Sequence, residues 1–525
     1  MFLLNRFKRK PVLVAGGLLV LLAIVGIALP GLLAQRFAAK LESVSGLVFT
    51  RQSAHFEISP PGIVLDQAKL SNKTGQVLLE AETLHVPLSA LGSGFGAPVA
   101  FEDGALHGYG VDGREHFTAS KIYGSSTLNS DGSFGASGTA DIGDVHVIVE
   151  ASLTSLARAL DEGSPIDFNL SSKTVKAGYS GRLKLKDGFD LAGTMNLETP
   201  DVLSFFTALG ANVPIIQPAW PLDFTAAVQT NDDGLSFSNI TGKLGGMHGL
   251  GNAVYSAPGG KPTLKLDLGM DVIDLSLFGL GGPSPEGAWR EKSYELAGLD
   301  SLDAIWHIST NALRFGQTDV GAGEFDGSLK DRILEAGYIT KDAQTFSAHF
   351  SLDNQGFQPA FETTFNAAEL DGKTAIASLT GYDWLSGKAA ISGKFAASGQ
   401  SPAAMISALS GNLNVKLTQA QISGFEASSL LRKAITEPVE GWNGGTTEKI
   451  EGQANLVFSD GIGSIQQGSF SSPDVLVKLS GDIDLLRQAL DVKISPDFTV
   501  GGPAGAQIFA SGFWHAPKFS TEKSP

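Results

Sequence analysis

Three observations predict a mainly β protein, an elongated, curled antiparallel β-sheet array with a few short amphipathic helices behind one N-terminal transmembrane helix. Apolar and polar residues alternate at Leu183-Lys184-Leu185-Lys186, Leu264-Lys265-Leu266-Asp267-Leu268, Leu413-Asn414-Val415-Lys416-Leu417 and Val475-Leu476-Val477-Lys478-Leu479. Period two sends successive side chains to opposite faces, so each run is a strand with one dry and one wet face. Glycine occurs 64 times and charged residues make up only 18 % of the chain. Glycine is costly inside helices and frequent at turns, which favours many short strands. Residues 11–33, finally, are an uncharged apolar run that no later segment resembles.

That run is the first element. A helix rises about 1.5 Å per residue, so it is long enough to cross a hydrocarbon core of roughly 30 Å. Arg6, Lys8, Arg9 and Lys10 precede it, whereas only Arg36 and Lys40 follow closely. The positive-inside bias therefore keeps residues 1–10 as a cytoplasmic basic stub, makes 11–33 a signal anchor, and exports the rest. A cleaved signal peptide has a similar basic start, but its apolar region is typically about 7–15 residues. Gly31-Leu32-Leu33-Ala34-Gln35 is also a poor small-x-small cleavage site, so the anchor is the preferred reading.

Beyond a polar helical stub, strand signals begin at Gly46-Leu47-Val48-Phe49 and recur to the end of the chain. Turns are expected at Ser130-Asp131-Gly132, Lys186-Asp187-Gly188, Asn231-Asp232-Asp233-Gly234, Glu369-Leu370-Asp371-Gly372 and Ser459-Asp460-Gly461. Asp-Gly supplies the positive φ that hairpins demand. Short amphipathic helices are expected at 153–160, 202–209, 403–409 and 425–435, as lids or caps. Loose repetition of strand, turn and short helix, with Gly/Pro-rich breaks at 258–260 and 279–286, divides the exported part into β segments 34–155, 156–285, 286–400 and 401–525.

A formal charge of −16 and a pI near 5.0 argue against nucleic acid, which requires clustered cations. The absence of cysteine excludes disulfides, thiolate metal sites and a cysteine nucleophile. The nine histidines form no His-Glu-x-x-His and no pair at i, i+4, so a metal site is not expected. Gly372-Lys373-Thr374 imitates the end of a phosphate-binding loop, but Ala367 stands where its first glycine belongs. The chain is therefore read as a non-enzyme without a cofactor. Alternation alone leaves two arrangements open: a sheet whose apolar face lines an open groove, or one closed into a solid β core.

The order of features resembles the AsmA family of bacterial envelope proteins. The resemblance rests on the signal anchor, on the stretch 36–46 leading into strands, on Ile63-Val64-Leu65-Asp66-Gln67-Ala68-Lys69-Leu70, and on 203–210. Its C-terminal part is Leu409-Ser410-Gly411-Asn412-Leu413-Asn414-Val415-Lys416-Leu417, Ile422-Ser423-Gly424-Phe425-Glu426, Ile450-Glu451-Gly452, Phe458-Ser459-Asp460-Gly461 and Leu479-Ser480-Gly481-Asp482-Ile483-Asp484. It implies an inner-membrane, single-pass protein with a periplasmic β-groove, akin to bridge-like lipid transfer proteins, whose partner is phospholipid moving towards the outer membrane. It also implies the alternative of a structural or regulatory envelope protein that affects outer-membrane protein assembly and targeting through periplasmic or outer-membrane partners. The chain is shorter than the family's largest members; at about 4.8 Å per strand, some 25–35 strands would reach roughly 120–170 Å.

The expected groove lining is Leu183, Leu185, Leu264, Leu266, Leu268, Leu413, Val415, Leu417, Val475, Val477 and Leu479, with Lys184, Lys186, Lys265 and Lys416 facing water. Trp442, in Glu440-Gly441-Trp442-Asn443-Gly444-Gly445, is a candidate for a membrane interface, where indoles are enriched, beside the alternative of loop packing. For topology, a reporter fused after Pro525 should be active only in an exported compartment. N-terminal sequencing of the mature protein should recover residues 11–33; a start near Ala34 would refute the anchor.

Overall fold

The computed structural model describes residues 48–522 apart from 60, 72–74, 88–96, 110–114, 130, 185–189, 203–219, 232–233, 257–260, 275–288, 295, 301, 316–317, 343–344, 374–384, 424–425, 443, 448 and 504. The expected transmembrane segment, Arg6, Lys8, Arg9, Lys10, Leu185, Lys186 and most of the expected helix at 202–209 therefore lie outside the described residues. Among the described residues, no helix is long and apolar enough to cross a membrane.

The described chain is mainly β and divides into two compact units that part chiefly between Asp267 and Leu268, with Leu302 and Asp303 also counted in the first. In the first, the strands are β1 (Val48–Thr50), β2 (Ser53–Ile58), β3 (Pro61–Ser71), β4 (Val77–Pro87), β5 (Val99–Tyr109), β6 (Glu115–Leu128), β7 (Phe134–Ile142), β8 (Val145–Leu153), β9 (Ser164–Ser171), β10 (Lys176–Lys184), β11 (Asp190–Thr199), β12 (Leu222–Asn231), β13 (Gly234–Leu244) and β14 (Met247–Ser256), with β15 (Thr263–Met270) at the boundary. From β3 to β14 each strand pairs antiparallel with the next, and β1 and β2 share the free edge of β3.

In the second unit follow β16 (Ile273–Asp274), β17 (Asp303–Thr310), β18 (Leu313–Phe315), β19 (Thr318–Asp319), β20 (Gly323–Lys330), β21 (Ile333–Thr340), β22 (Phe346–Asp353), β23 (Ala360–Asp371), β24 (Leu385–Ser398), β25 (Ser410–Ile422), β26 (Val439–Glu440), β27 (Ile450–Ser459), β28 (Ile462–Ser471), β29 (Val475–Asp484), β30 (Ala489–Phe498), β31 (Ile508–Phe513) and β32 (Lys518–Ser520). The meander runs β17-β20-β21-β22-β23-β24-β25-β27-β28-β29-β30-β31-β32-β26, all antiparallel, while β16, β18 and β19 form a small separate sheet.

Turn chemistry follows the sequence where it is described. Asp460 and Gly461 join Ser459 to Ile462 with φ of 51° and 75°, the double positive φ of a type I′ hairpin. At Asp131 the carboxylate accepts from the backbone N–H and hydroxyl of Ser133, at 2.9 and 2.7 Å. Asp371, expected in a turn, is instead the last residue of β23 and pairs with Lys388. Among the described residues the α-helices are α1 (Leu156–Asp161), α2 (Pro402–Ser407) and α3 (Ala427–Thr436), capped by Ser155, Ser401 and Glu426. Side-chain oxygens of these caps accept from otherwise orphaned N–H groups of the first turn. Leu153, expected in the first helix, belongs to β8, opposite Phe134 and Ile166. Positions 155 and 400, expected as segment boundaries, lie in connections between strands that pair directly, β8 with β9 and β24 with β25.

Two devices shape these sheets. Gln67, Asp103, Lys121, Asn239 and Gln419 lie inside strands with φ between 48° and 52°. At the last four the register shifts by one residue. Four of the five follow the pattern apolar-x-αL-apolar, as in Leu65-Asp66-Gln67-Ala68 and Leu417-Thr418-Gln419-Ala420, and Asp103 is followed by Gly104 instead. The bulge absorbs the extra residue, so both flanking apolar side chains keep the same face while the strand twists more strongly.

The second device uses glycine in strands as well as in turns. Gly181 and Gly193 oppose each other, and a Cβ on either would come within 2.7 or 2.9 Å of the Tyr179 hydroxyl. At Gly463 a Cβ would sit 2.5 Å from the Phe458 ring, which covers that position. Such glycines leave room for an aromatic ring of the same strand, as at Gly181, or of the neighbouring strand, as at Gly193 and Gly463. Gly463→Ala should therefore cost about 1–3 kcal/mol by overpacking. In a Phe458→Leu background thermal unfolding should register a smaller penalty; an equal penalty would remove the ring as its cause.

Candidate functional site

Register arithmetic shows what the alternation builds. In the second unit one line of directly opposed residues runs Ile308, Phe325, Tyr338, Ala348, Phe365 and Gly393, then on through Leu413, Leu456 and Ile465. A parallel line runs Phe346, Ala367, Ile391, Val415, Ala454 and Gly468, then through Leu479, Ile494 and Ile508. Every member is apolar or glycine. One residue along, the opposite face reads His307, Asp326, Gly337, His349, Thr364, Lys394 and Asn412, polar apart from one glycine.

The apolar face of this unit is covered unevenly. Leu413, Val415 and Leu417 are only half-buried, while Asn414 and Lys416 are exposed. Phe361, Phe365 and Phe395 are half-buried too. Phe350 and Phe361 form one pair, 5.6 Å apart between centroids, and Phe365, Phe395 and Phe458 a run of three, at 6.1 and 5.4 Å. Where α3 lies over the sheet, by contrast, Val475, Val477 and Ile508 are 0 % exposed and pack with Leu430 and Leu431. Leu479 is packed against the rim of that cluster and half-buried. Of the expected lining, then, 413, 415 and 417 share one partly uncovered face, and 475 and 477 continue the same face beneath a helix.

The first unit repeats the arrangement. Leu65, Leu84, Phe101, Gly124, Gly138 and Val149 oppose one another strand by strand, and the line continues through Leu170, Ala177, Leu197 and Phe224. Its first members are buried in a closed core that also takes Leu183, at 0 % exposure. Leu197 and Phe224 are half-buried. Lys184 is half-buried rather than fully exposed; Lys265 is exposed, and Leu264, Leu266 and Leu268 of β15 are half-buried. Trp442 is 46 % exposed, and its indole meets the Phe519 ring edge-on at 5.6 Å.

Polar chemistry is concentrated on the opposite faces. Lys69 lies 2.7 Å from Glu80 and holds that carboxyl below its usual range. His85 pairs with Glu57 at 2.8 Å, and Asp141 receives both His146 and Lys121 at 2.7 and 3.0 Å. Exposed pairs of this kind contribute roughly 0–1 kcal/mol each and specify which face is wet more than they stabilise it. Among the described residues, no group of three or more His, Asp or Glu side chains is arranged to hold a metal ion.

The apolar faces perturb two phenols. Burial pushes both Tyr179 and Tyr338 up to about 12, and their hydroxyls donate to the carbonyls of Arg182 and Gly321 at 3.0 and 2.5 Å. The aromatic series in β22–β27 is hard to read from the sequence because most of its members lie far apart in the chain; two phenylalanines four residues apart, and so on one face of a strand, as in Phe361 and Phe365, were the available signal. No family model, curated protein or solved structure matches the chain. Phenolate absorbance of the folded protein should show two tyrosines ionising only near pH 12. An unfolded phenol ionises near 10, so folding stability should decline as pH rises from about 10 to 12. Replacing both residues by phenylalanine should flatten that decline.

Proposed function

We propose that this chain is an inner-membrane-anchored periplasmic protein whose sheets curl into an open trough that binds phospholipid by its acyl chains and conducts it towards the outer membrane. The observation that carries the reading is the unbroken apolar face of the second unit, left half-exposed around Leu413, Val415 and Leu417. A solid β core hides such rows, whereas a lipid path has to leave them within reach. The resemblance to the AsmA family and the charge asymmetry around residues 11–33 support the same reading.

The energetics suit transport rather than storage. Each methylene removed from water contributes about 0.8 kcal/mol. A dozen methylenes resting half-covered on the face gain on the order of 5 kcal/mol, enough to hold an acyl chain without trapping it. The face has no polar line across it to interrupt sliding, and the headgroup stays in water at the rim. No bond is made or broken, so no catalytic residue is required.

Photo-crosslinking amino acids at 413, 415 and 417 should capture phospholipid, and those at 414 and 416 should not. Val415→Asp should leave abundance and protease resistance normal, because the carboxylate reaches water, yet obstruct lipid supply to the outer membrane. Val477→Asp should instead remove the protein, since a charge buried beneath α3 commonly costs several kcal/mol. Loss of the protein in both cases, with no lipid captured, would favour the structural or regulatory alternative.

A further inference from the structure

The segment carrying α3 is not needed to connect the sheet. β25 pairs directly with β27, from Gly411–Phe458 to Ala420–Ile450, so residues 423–449 leave the sheet and return to it. On the way α3 approaches β31 and β32, beyond the strand to which the chain returns, and joins one core with residues of β29 and β30, and the short β26 pairs only with β32 among the described residues. The segment is a strap laid across the apolar face, and the rows beneath it are those that start half-exposed at Val415 and Leu417.

We infer that the floor beneath α3 is a second acyl-chain site, which the helix occupies in the absence of lipid and yields when lipid arrives; this rests on the trough reading. Leu430 and Leu431 fill the position an acyl chain would take, and both are 0 % exposed. Their replacement is physically balanced, because roughly four to eight methylenes bury as much apolar surface as two leucine side chains. The strap's fastening is polar and reversible. Arg432 donates to the carbonyls of Gly501 and Val500, at 2.5 Å each, with its guanidinium 4.3 Å from the Phe498 ring centroid. Glu426 caps the helix by accepting from the N–H groups of Ser428 and Ser429, so α3 keeps its own end satisfied whether docked or released.

The test uses the full chain in nanodiscs, with dioleoyl phosphatidylethanolamine vesicles as probe. Amides of α3 should exchange with deuterium about tenfold faster once phospholipid is present, while those of β29 remain protected. Arg432→Ala should raise phospholipid captured by a crosslinker at 477 several-fold and leave capture at 415 unchanged. Capture at 415 with α3 exchange indifferent to lipid, in both the native chain and Arg432→Ala, overturns the second site and spares the trough. Capture at neither position overturns the trough reading, and this inference with it.

Discussion

Everything in this protein depends on keeping side-chain parity across a long series of antiparallel strands. A slip of one residue between any two neighbours would turn the apolar rows of all later strands to the wrong face. The chain guards against this with short hairpins that fix register, such as Asp460-Gly461, and with bulges that absorb an extra residue. At Gln419 the spacing between inward side chains changes from two to three, yet Leu417 and Ala420 still face the same way. Holding a non-glycine residue in the left-handed region costs on the order of 1 kcal/mol. That cost recurs at Asp103, Lys121 and Asn239 because losing parity would forfeit the burial of every following strand.

A consequence of this design is that stability is distributed. Each strand is held mainly by its two neighbours, so the cores need not be uniformly closed. The first unit has a closed core from β3 to β11, and the second closes beneath α3. Around β22–β25 the ladder hydrogen bonds and the ring contacts carry the structure while the apolar face stays partly uncovered. A face can be left unfinished in this way only where closed regions elsewhere in the unit supply the missing stability. That division separates Val477, closed off while α3 is docked, from Val415, left partly uncovered, although both lie on the same face.

The glycine content takes on a second meaning in this frame. Composition suggested turns, and glycine does make them, but Gly181, Gly193, Gly327 and Gly463 lie inside strands beneath Tyr179, Trp306 and Phe458. Removing the Cβ there makes room against the backbone for a ring of the same strand, as at Gly181, or of the adjacent strand, as at Gly193, Gly327 and Gly463. Gly393 makes the same room beneath Phe365, one of the half-buried rings of β22–β25.

By itself the sequence determined the class of structure and the identity of its two faces. Leu413, Val415 and Leu417 against Asn414 and Lys416 are legible because the strand period of two is a local property of the backbone. Three of the short helices and the Asp460-Gly461 turn were legible for the same reason, since caps and turns are chosen by neighbouring residues. What only the tertiary structure decided is which parts of the apolar face are covered. Val415 and Val477 have the same side chain and the same alternating context, yet one is half-exposed and the other is closed off by Leu430 and Leu431 from a strap that leaves the sheet after β25. Burial is a long-range quantity, set by which distant segment lies on top, and no local period encodes it.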